Sequence, residues 1–128
     1  MMSLDVQASP SDFSRLRPLV VLVGPTAVGK THLAIQLALN LSAEIVSADS
    51  RLLYLGMDIG TAKPTLSERR LVPHHLIDVT SPDKIWSLAQ YQSAAVELIA
   101  SVHQRNCLPI LVGGTGQYVH ALTQGWEI

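Results

Sequence analysis

Residues 19–31 read LVVLVGPTAVGKT, and this stretch decides the fold of the chain. Its first five residues form a continuous, β-branched-rich apolar run, which is typical of a strand buried on both faces of a parallel sheet. The remainder matches the pattern G-x-x-x-x-G-K-[ST] in full, and Leu33, Leu37 and Leu41 follow at helical spacing. A strand, a glycine-rich loop and a helix in this order predict a loop whose backbone N–H groups bind a polyphosphate at the helix N-terminus.

Each residue type in this loop predicts a role. Lys30 supplies an ammonium group for the phosphates, and the Thr31 hydroxyl can reach a Mg²⁺ ion. The diphosphate-binding or nucleotide-binding residues are therefore predicted to be Gly24, Pro25, Thr26, Ala27, Val28, Gly29, Lys30 and Thr31. The pattern leaves open which polyphosphate binds and whether a phosphoryl group is transferred.

Strand and helix patterns alternate along the rest of the chain. Further strands are predicted at 44–47, 75–79 and 108–112, and helices at 29–41, 87–105 and 115–124. Residues 54–73 hold glycines and prolines among polar residues and predict a long, irregular loop. The alternation predicts an α/β fold with a parallel sheet flanked by helices. We expect 19–23 to lie beside 108–112, because both strands end in glycine turns that would share one phosphate crevice.

Composition excludes several classes of protein. The 128 residues allow one domain, and the charges sum to 9 − 10 = −1, which excludes a polybasic nucleic-acid binder. With 48% apolar and 15% charged residues the chain is globular, and no apolar run approaches the roughly 20 residues of a membrane span. The single cysteine predicts an intracellular, cytoplasmic protein. Residues 1–17 are predicted to be a flexible leader and 18–128 the folded domain.

Two further motifs follow predicted strands. Asp49 stands where a parallel strand ends, the sheet edge at which open α/β folds bind ligands. Its carboxylate could hold Mg²⁺ through water, act as a general base or cap a helix near Ser50. Arg51 could clamp a phosphate or be a solvated surface charge. Residues 112–116 read VGGTG, whose backbone amides and Thr115 hydroxyl can face the same crevice.

For a few other residues that could suggest a binding or reactive site, we predict none. His74 and His75 have no further ligands at metal-binding spacing, so we expect no zinc site. Arg69 and Arg70 are predicted to be a solvated pair, and Cys107 an inert thiol.

Five motifs together resemble the tRNA dimethylallyltransferase family, also called the tRNA isopentenyltransferases. They are GPTAVGKT (24–31), SADSRLLY (47–54), GMDIGTAKP (56–64), PHHLID (73–78) and LVGGTGQY (111–118). GMDIGTAKP discriminates best, because ordinary phosphate-loop kinases share the first motif but not this one. The resemblance implies a P-loop NTPase-like, nucleoside-kinase-like domain, of which the chain would be the part that precedes the tRNA-binding helical insertion.

The resemblance also implies a reaction. The N6 amino group of the adenine 3′ of the anticodon would attack the allylic carbon of dimethylallyl diphosphate, with diphosphate as leaving group and Mg²⁺ on Thr31. Asp49 matches the family's general base, and Thr115 matches the hydroxyl that helps place the adenine and the diphosphate. Contacts with tRNA and its flipped-out adenine are implied for Asp49, Ser50, Arg51, Leu52 and Thr115. A monomer is expected for a complete family member.

Two positions depart from a frequent family pattern, and three other functions stay open. Leu52 and Leu55 replace a glutamine and a basic residue, so polar substrate contacts are not expected from them. The alternatives are an adenylate isopentenyltransferase acting on free nucleotides, a small-molecule kinase, and a truncated nucleotide- or diphosphate-binding module without turnover. The 128-residue chain alone is expected to be marginally folded, with one unpaired strand edge, and inactive on tRNA.

Overall fold

A computed structural model describes residues 3–5, 18–23, 27–56, 63–114 and 116–124, which form one sheet between two layers of helices. The strands are β1 (Ser3–Asp5), β2 (Val20–Val23), β3 (Ala43–Ser47), β4 (His74–His75) and β5 (Leu108–Gly113). The helices are α1 (Ala27–Leu41), α2 (Leu66–Leu71), α3 (Leu88–Gln104) and α4 (Gly116–Gln124). No helix in these ranges is both long and apolar enough to cross a bilayer.

The sheet has the order β1-β2-β5-β3-β4, and its last four strands are parallel. This confirms the predicted α/β fold, and β5 lies beside β2 as expected. Val23 pairs with Gly113, and Val112 pairs with Ser47, so the three central strands end at one edge. The segments that follow these three strands therefore lie at the same edge of the sheet.

The sheet buries a separate apolar cluster on each face. One cluster includes Ala34, Ile35 and Ala38 of α1 with Ile45 and Ile110. The opposite cluster lies under α3 and α4, and its fully buried members include Tyr91, Ala95, Ile99 and Leu111. Because all five β3 residues are buried, the continuous apolar runs are explained by helices on both faces.

The leader prediction is wrong for residues 3–5. Ser3–Asp5 form β1 and pair antiparallel with β2, Ser3 opposite Val23 and Asp5 opposite Val21. The outer edge of β2 is therefore paired over these three residues. Residues 1–2 and 6–17 of the predicted leader lie outside the described residues.

Two predictions differ from the structure after residue 62, because a predicted loop contains a helix and a predicted strand is shorter than expected. The predicted loop 54–73 contains α2, which begins in a capping box: Thr65 Oγ1 accepts from Glu68 N, and Glu68 Oε1 accepts from Thr65 N. The predicted strand 75–79 is wrong beyond His75. Leu76 and Asp78 have φ values of 65° and 57°, a left-handed conformation that ends extended pairing.

One buried carboxylate joins β3, β4 and the end of α3. Glu44 is 6% exposed, and both its oxygens accept hydrogen bonds from Arg105, at 2.9 and 2.6 Å. His75 Nε2 lies 2.7 Å from Glu44 Oε1. These hydrogen bonds, led by Arg105, hold the pKa of Glu44 at about 2, against an ordinary value of 4.5. The ionised carboxylate therefore stabilises the fold.

We expect Glu44→Gln to lower the free energy of unfolding by roughly 1–3 kcal/mol at neutral pH, because a charge-assisted, bidentate contact is lost. Glu97→Gln, at an exposed position on α3, is the matched control and should leave the stability unchanged. Urea denaturation of both variants measures the difference.

The effect should depend on pH in a defined direction. The carboxyl is protonated at lower pH in the folded chain than in the unfolded chain, so the unfolded state binds more protons as the pH falls. Glu44 should therefore contribute fully above pH 4.5 and progressively less toward pH 2. A difference between wild type and Glu44→Gln that stayed constant over this range would contradict the assignment.

Candidate active site

The candidate site lies where β2, β5 and β3 end and α1 begins. Val23, Gly113 and Ser47 are the last residues of these strands, and Lys30 lies in the first turns of α1. Of the predicted phosphate-binding residues, Ala27, Val28, Gly29, Lys30 and Thr31 belong to α1, whereas Gly24, Pro25 and Thr26 lie outside the described residues. The parallel pairing accordingly brings the motifs at 30–31, 47–52 and 111–114 together.

Lys30 is buried against the end of β5. Its side chain reaches across the sheet edge, and Nζ donates a hydrogen bond to the carbonyl oxygen of Gly113 at 2.9 Å. Only 4% of the residue is exposed. Burial lowers the pKa of Lys30, and the positive charge of Arg51 adds to this, while Asp49 opposes it. The ammonium is thus held at the edge where β2, β3 and β5 end, within range of the charge of Asp49.

Gly113 is needed here for space, and a side chain on Gly114 would crowd Lys30. A Cβ on Gly113 would lie 2.4 Å from the carbonyl oxygen of Ala48 and 2.5 Å from its Cβ. A Cβ on Gly114 would lie 3.2 Å from Lys30 Nζ. Gly113 therefore allows β5 to approach the chain leaving β3, whereas a Cβ on Gly114 would displace only the flexible end of the lysine.

Asp49 forms a turn with the two residues that follow it. Its Oδ1 accepts a hydrogen bond from Arg51 N at 2.9 Å, and Arg51 Nε lies 3.5 Å from the same oxygen. Asp49 O also accepts from Leu52 N at 3.1 Å. The carboxylate caps this turn, but no helix begins at residue 50. Its side chain is 12% exposed while that of Arg51 is 60% exposed, so the guanidinium lies open to a large ligand.

Residues 78–80 form backbone hydrogen bonds with the segment that follows Asp49. Asp78 N donates to Leu52 O at 2.9 Å, and Val79 N donates to Leu53 O at 2.9 Å. Leu53, fully buried, anchors the segment in the core. Hence the left-handed turn at 76–78 ends β4 and redirects the chain to pair with the turn that follows Asp49.

Asp78 also binds two cations, which the sequence analysis did not predict. Lys63 Nζ donates to Asp78 Oδ1 at 2.5 Å and to the carbonyl oxygen of Tyr54 at 3.2 Å. Arg69 Nη1 donates to Asp78 Oδ2 at 3.0 Å, so the prediction that Arg69 is solvated is wrong. The signal was present, because Lys63 and Asp78 belong to two of the quoted motifs. Residues 57–62 of the first of these motifs lie outside the described residues.

A stack of two tyrosines lies beside Asp49. The rings of Tyr91 and Tyr118 are 3.8 Å apart and inclined by 12°, and Tyr91 Oη donates to Ser47 O at 2.7 Å. Burial raises the pKa of Tyr118, and Tyr54 and the Asp49 carboxylate raise it further. Tyr118 therefore stays protonated near Asp49.

The remaining predicted residues have defined places with one exception. Ser50 and Leu52 lie half-buried in the turn after Asp49, and Thr31 is half-buried in α1. Thr115 lies outside the described residues. Within the described ranges, no three His, Cys, Asp or Glu side chains form a group that could hold a metal.

Comparison with known proteins gives consistent results. A family model described as IPP transferase matches residues 52–128. The chain is 60% identical over 111 residues to the tRNA dimethylallyltransferase of Roseiflexus sp. strain RS-1, and 61% identical over 113 residues to that of Herpetosiphon aurantiacus. These matches cover 87% and 88% of the chain but 36% of each relative, so the chain spans about a third of their length.

Solved structures extend the similarity to the fold. The full-length tRNA isopentenylpyrophosphate transferase from Bacillus halodurans superposes with a TM-score of 0.80 at 51% identity, covering 86% of this chain and 36% of that one. A eukaryotic dimethylallyltransferase acting on tRNA superposes with a TM-score of 0.76 at 32% identity, covering 86% and 27%.

The close approach of Gly113 to Ala48 can be tested by adding one methyl group, in the variant Gly113→Ala. Gly113→Ala should lower the free energy of unfolding by roughly 1–3 kcal/mol, because the backbone of β5 or of Ala48 must shift. Gly116→Ala is the matched control: nothing lies within 4 Å of its added Cβ, and alanine favours the helix that begins there. Equal denaturation midpoints for the two variants would disprove the steric role of Gly113.

Proposed function

The chain belongs to the IPP transferase family, and from that premise we propose that it serves the transfer of a dimethylallyl group from dimethylallyl diphosphate to the N6 amino group of an adenine beside the anticodon of tRNA. One observation carries the proposal. The sheet register brings the phosphate-loop lysine, Lys30, to the same edge as Asp49. A cation for the leaving group and a carboxylate for the attacking group are what an alkyl transfer from a diphosphate requires.

The leaving group would be stabilised by α1 and Lys30. The N-terminus of a helix attracts anions, and a buried ammonium interacts strongly with the charge that develops on diphosphate as the C–O bond breaks. In the structure Lys30 donates to Gly113 O. Binding of diphosphate would exchange this neutral acceptor for an anionic one.

Mg²⁺ fits the donors that this edge offers. The ion prefers oxygen ligands, and in such sites one or two protein oxygens are completed by substrate phosphates and water. The Thr31 hydroxyl is an oxygen donor of this kind. When bound, Mg²⁺ would neutralise part of the diphosphate charge.

Asp49 would accept the proton of the attacking amino group. Asp49 follows β3 at the sheet edge that also holds Lys30, and its carboxylate is 12% exposed, which supports the approach of a flipped-out base at this edge. Arg51, which is largely exposed, would contact the tRNA backbone near the same base. Ser50, Leu52 and Thr115 are proposed to complete the tRNA contacts.

Activity is best tested in a chimera in which this chain replaces the matching third of the Roseiflexus relative. With labelled dimethylallyl diphosphate and Mg²⁺, we expect the label on tRNA adenine. Label on free AMP would favour an adenylate isopentenyltransferase instead, and phosphate transferred from ATP would favour a kinase.

Lys30→Ala should weaken the binding of inorganic diphosphate to the chain by roughly 1.5–3 kcal/mol, the worth of a hydrogen bond to a charged group. Lys84→Ala removes an exposed lysine from the loop before α3 and serves as the control. Isothermal titration in the presence of Mg²⁺ measures both. Unchanged affinity in Lys30→Ala would remove the lysine from the proposed site.

Asp49→Asn in the chimera should slow single-turnover prenylation by about 10²–10⁴-fold, the usual contribution of a general base. Asparagine retains a side-chain oxygen that can accept from Arg51 N, so the turn should persist and diphosphate affinity should hardly change. A variant that kept its single-turnover rate would show that Asp49 only shapes the turn.

A further inference from the structure

Asp78 holds the segment after Asp49 at two points, through two different groups of the same residue. Its backbone N donates a hydrogen bond to Leu52 O at 2.9 Å. Its carboxylate accepts a hydrogen bond from Lys63 Nζ, which also donates to Tyr54 O at 3.2 Å. Asp78 is therefore connected to residue 52 directly and to residue 54 through the lysine.

The connection at Leu52 leads straight to the proposed general base. Leu52 N donates to Asp49 O at 3.1 Å, so Leu52 is bonded to Asp49 through its N–H and to Asp78 through its carbonyl. In the same turn, Arg51 N donates to Asp49 Oδ1 at 2.9 Å. A displacement of the Leu52 backbone would therefore move the main chain of Asp49 together with the N–H group that orients its carboxylate.

Charge pairing stabilises the contact between Asp78 and Lys63. Burial by itself would raise the pKa of Asp78, but hydrogen bonds from Lys63 and Arg69 lower it below the ordinary value of 3.8. The carboxylate is therefore ionised at neutral pH. The side chain of Lys63 is only 8% exposed, so the counter-charge of Asp78 stabilises an ammonium that has little contact with water.

We infer that Asp78, paired with Lys63, is a positioning residue that acts through Asp49 in the proposed reaction. This role rests on the proposed function and requires no contact between Asp78 and either substrate. The two connections would hold the turn so that the Asp49 carboxylate meets the attacking amino group. Misplacement of a reacting group by about 1 Å can cost on the order of 100-fold in rate.

Three of the five motifs would share this task. The segment 47–54 carries Asp49, the segment 56–64 contributes Lys63, and the segment 73–78 contributes Asp78. The chemistry of the first motif would therefore depend on two motifs whose own described residues hold no reacting group.

The backbone conformation of Asp78 makes one substitution especially clean. Its φ of 57° lies in the left-handed region, which aspartate and asparagine adopt more readily than most other residues. Asp78→Asn should therefore keep the turn and the backbone hydrogen bond to Leu52. It removes the charge that pairs with Lys63 and Arg69.

In the chimera with the Roseiflexus relative, Asp78→Asn should slow single-turnover prenylation by roughly 10- to 100-fold. The dissociation constant of dimethylallyl diphosphate should stay unchanged, because Lys30 is held by β5 and not by this contact. Glu44→Gln is the matched control, since it also removes an ion-paired carboxylate that joins separate elements, but near the start of β3. Its single-turnover rate should equal that of the unsubstituted chimera at temperatures where both are folded.

Combining the substitution with Asp49→Asn tests whether Asp78 acts through the base. If it does, Asp78→Asn should slow the Asp49→Asn chimera by less than about 2-fold, because the group that it positions is already absent. A purely structural defect would lower the rate by the same factor in both backgrounds. That result would overturn the positioning role while the proposed function stands.

Amide hydrogen exchange in the chain itself gives a readout that does not depend on activity. Asp78→Asn should reduce the protection of the Leu52 and Leu55 amides by about 10-fold, since opening this segment no longer breaks an ion pair. The Ala48 amide, which donates to Val112 O, should keep its protection. Unchanged protection at residues 52 and 55, or an equal loss at residue 48, would contradict a local positioning role.

Lys63→Met decides the question if Asp78→Asn does not fold. Methionine keeps the length of the side chain and removes the charge, so the single-turnover rate should again fall roughly 10- to 100-fold, and by less than about 2-fold in the Asp49→Asn background. An unchanged rate in Lys63→Met would overturn the positioning role alone. Absence of label on tRNA with the unsubstituted chimera would overturn the proposed function and the positioning role together.

Discussion

The contact between the end of β5 and the chain leaving β3 is the constraint on which the site depends. Gly113 has no side chain, so its Cα can lie against Ala48, and its carbonyl is left to accept the ammonium of Lys30. A larger residue would separate the strands and move the lysine and Asp49 apart. The relative position of Lys30 and Asp49 therefore depends on the absence of a side chain at Gly113.

Rigidity at Asp49 comes from elements that carry no chemistry of their own. The turn after β3 is held by hydrogen bonds with the backbone of residues 78–80. Tyr91, which stacks on Tyr118, donates a hydrogen bond to Ser47 O at the end of β3. Lys63 and Arg69 neutralise Asp78 and hold that support in place. The general base proposed at Asp49 has to be positioned closely to be effective, and packing from distant segments holds its turn in place.

The stabilising ion pair and the proposed binding site lie at opposite ends of β3. Glu44, near the start of β3, is ion-paired with Arg105 and joins three elements of the fold. Ser47, at the other end of β3, and Asp49, two residues beyond it, lie at the edge where the phosphate site is proposed. Parallel strands favour this division, since their carboxyl ends meet at one edge, and loops there can vary without disturbing the hydrogen-bonded sheet.

Local patterns were enough to predict the α/β class, the pairing of β2 with β5, the main helices, and the motifs that meet at the sheet edge. These features depend on periodicity and on turns, which neighbouring residues determine. The α2 helix was missed although its capping box, formed by Thr65 and Glu68, is a local signal. The early end of β4, the strand at Ser3–Asp5 and the ion pairs of Asp78 were missed because they depend on contacts between segments far apart in the chain. The left-handed turn at Leu76 and Asp78, for example, is held by the backbone of residues 52 and 53. Sequence spacing carries no record of such distances, so only the packed structure could decide them.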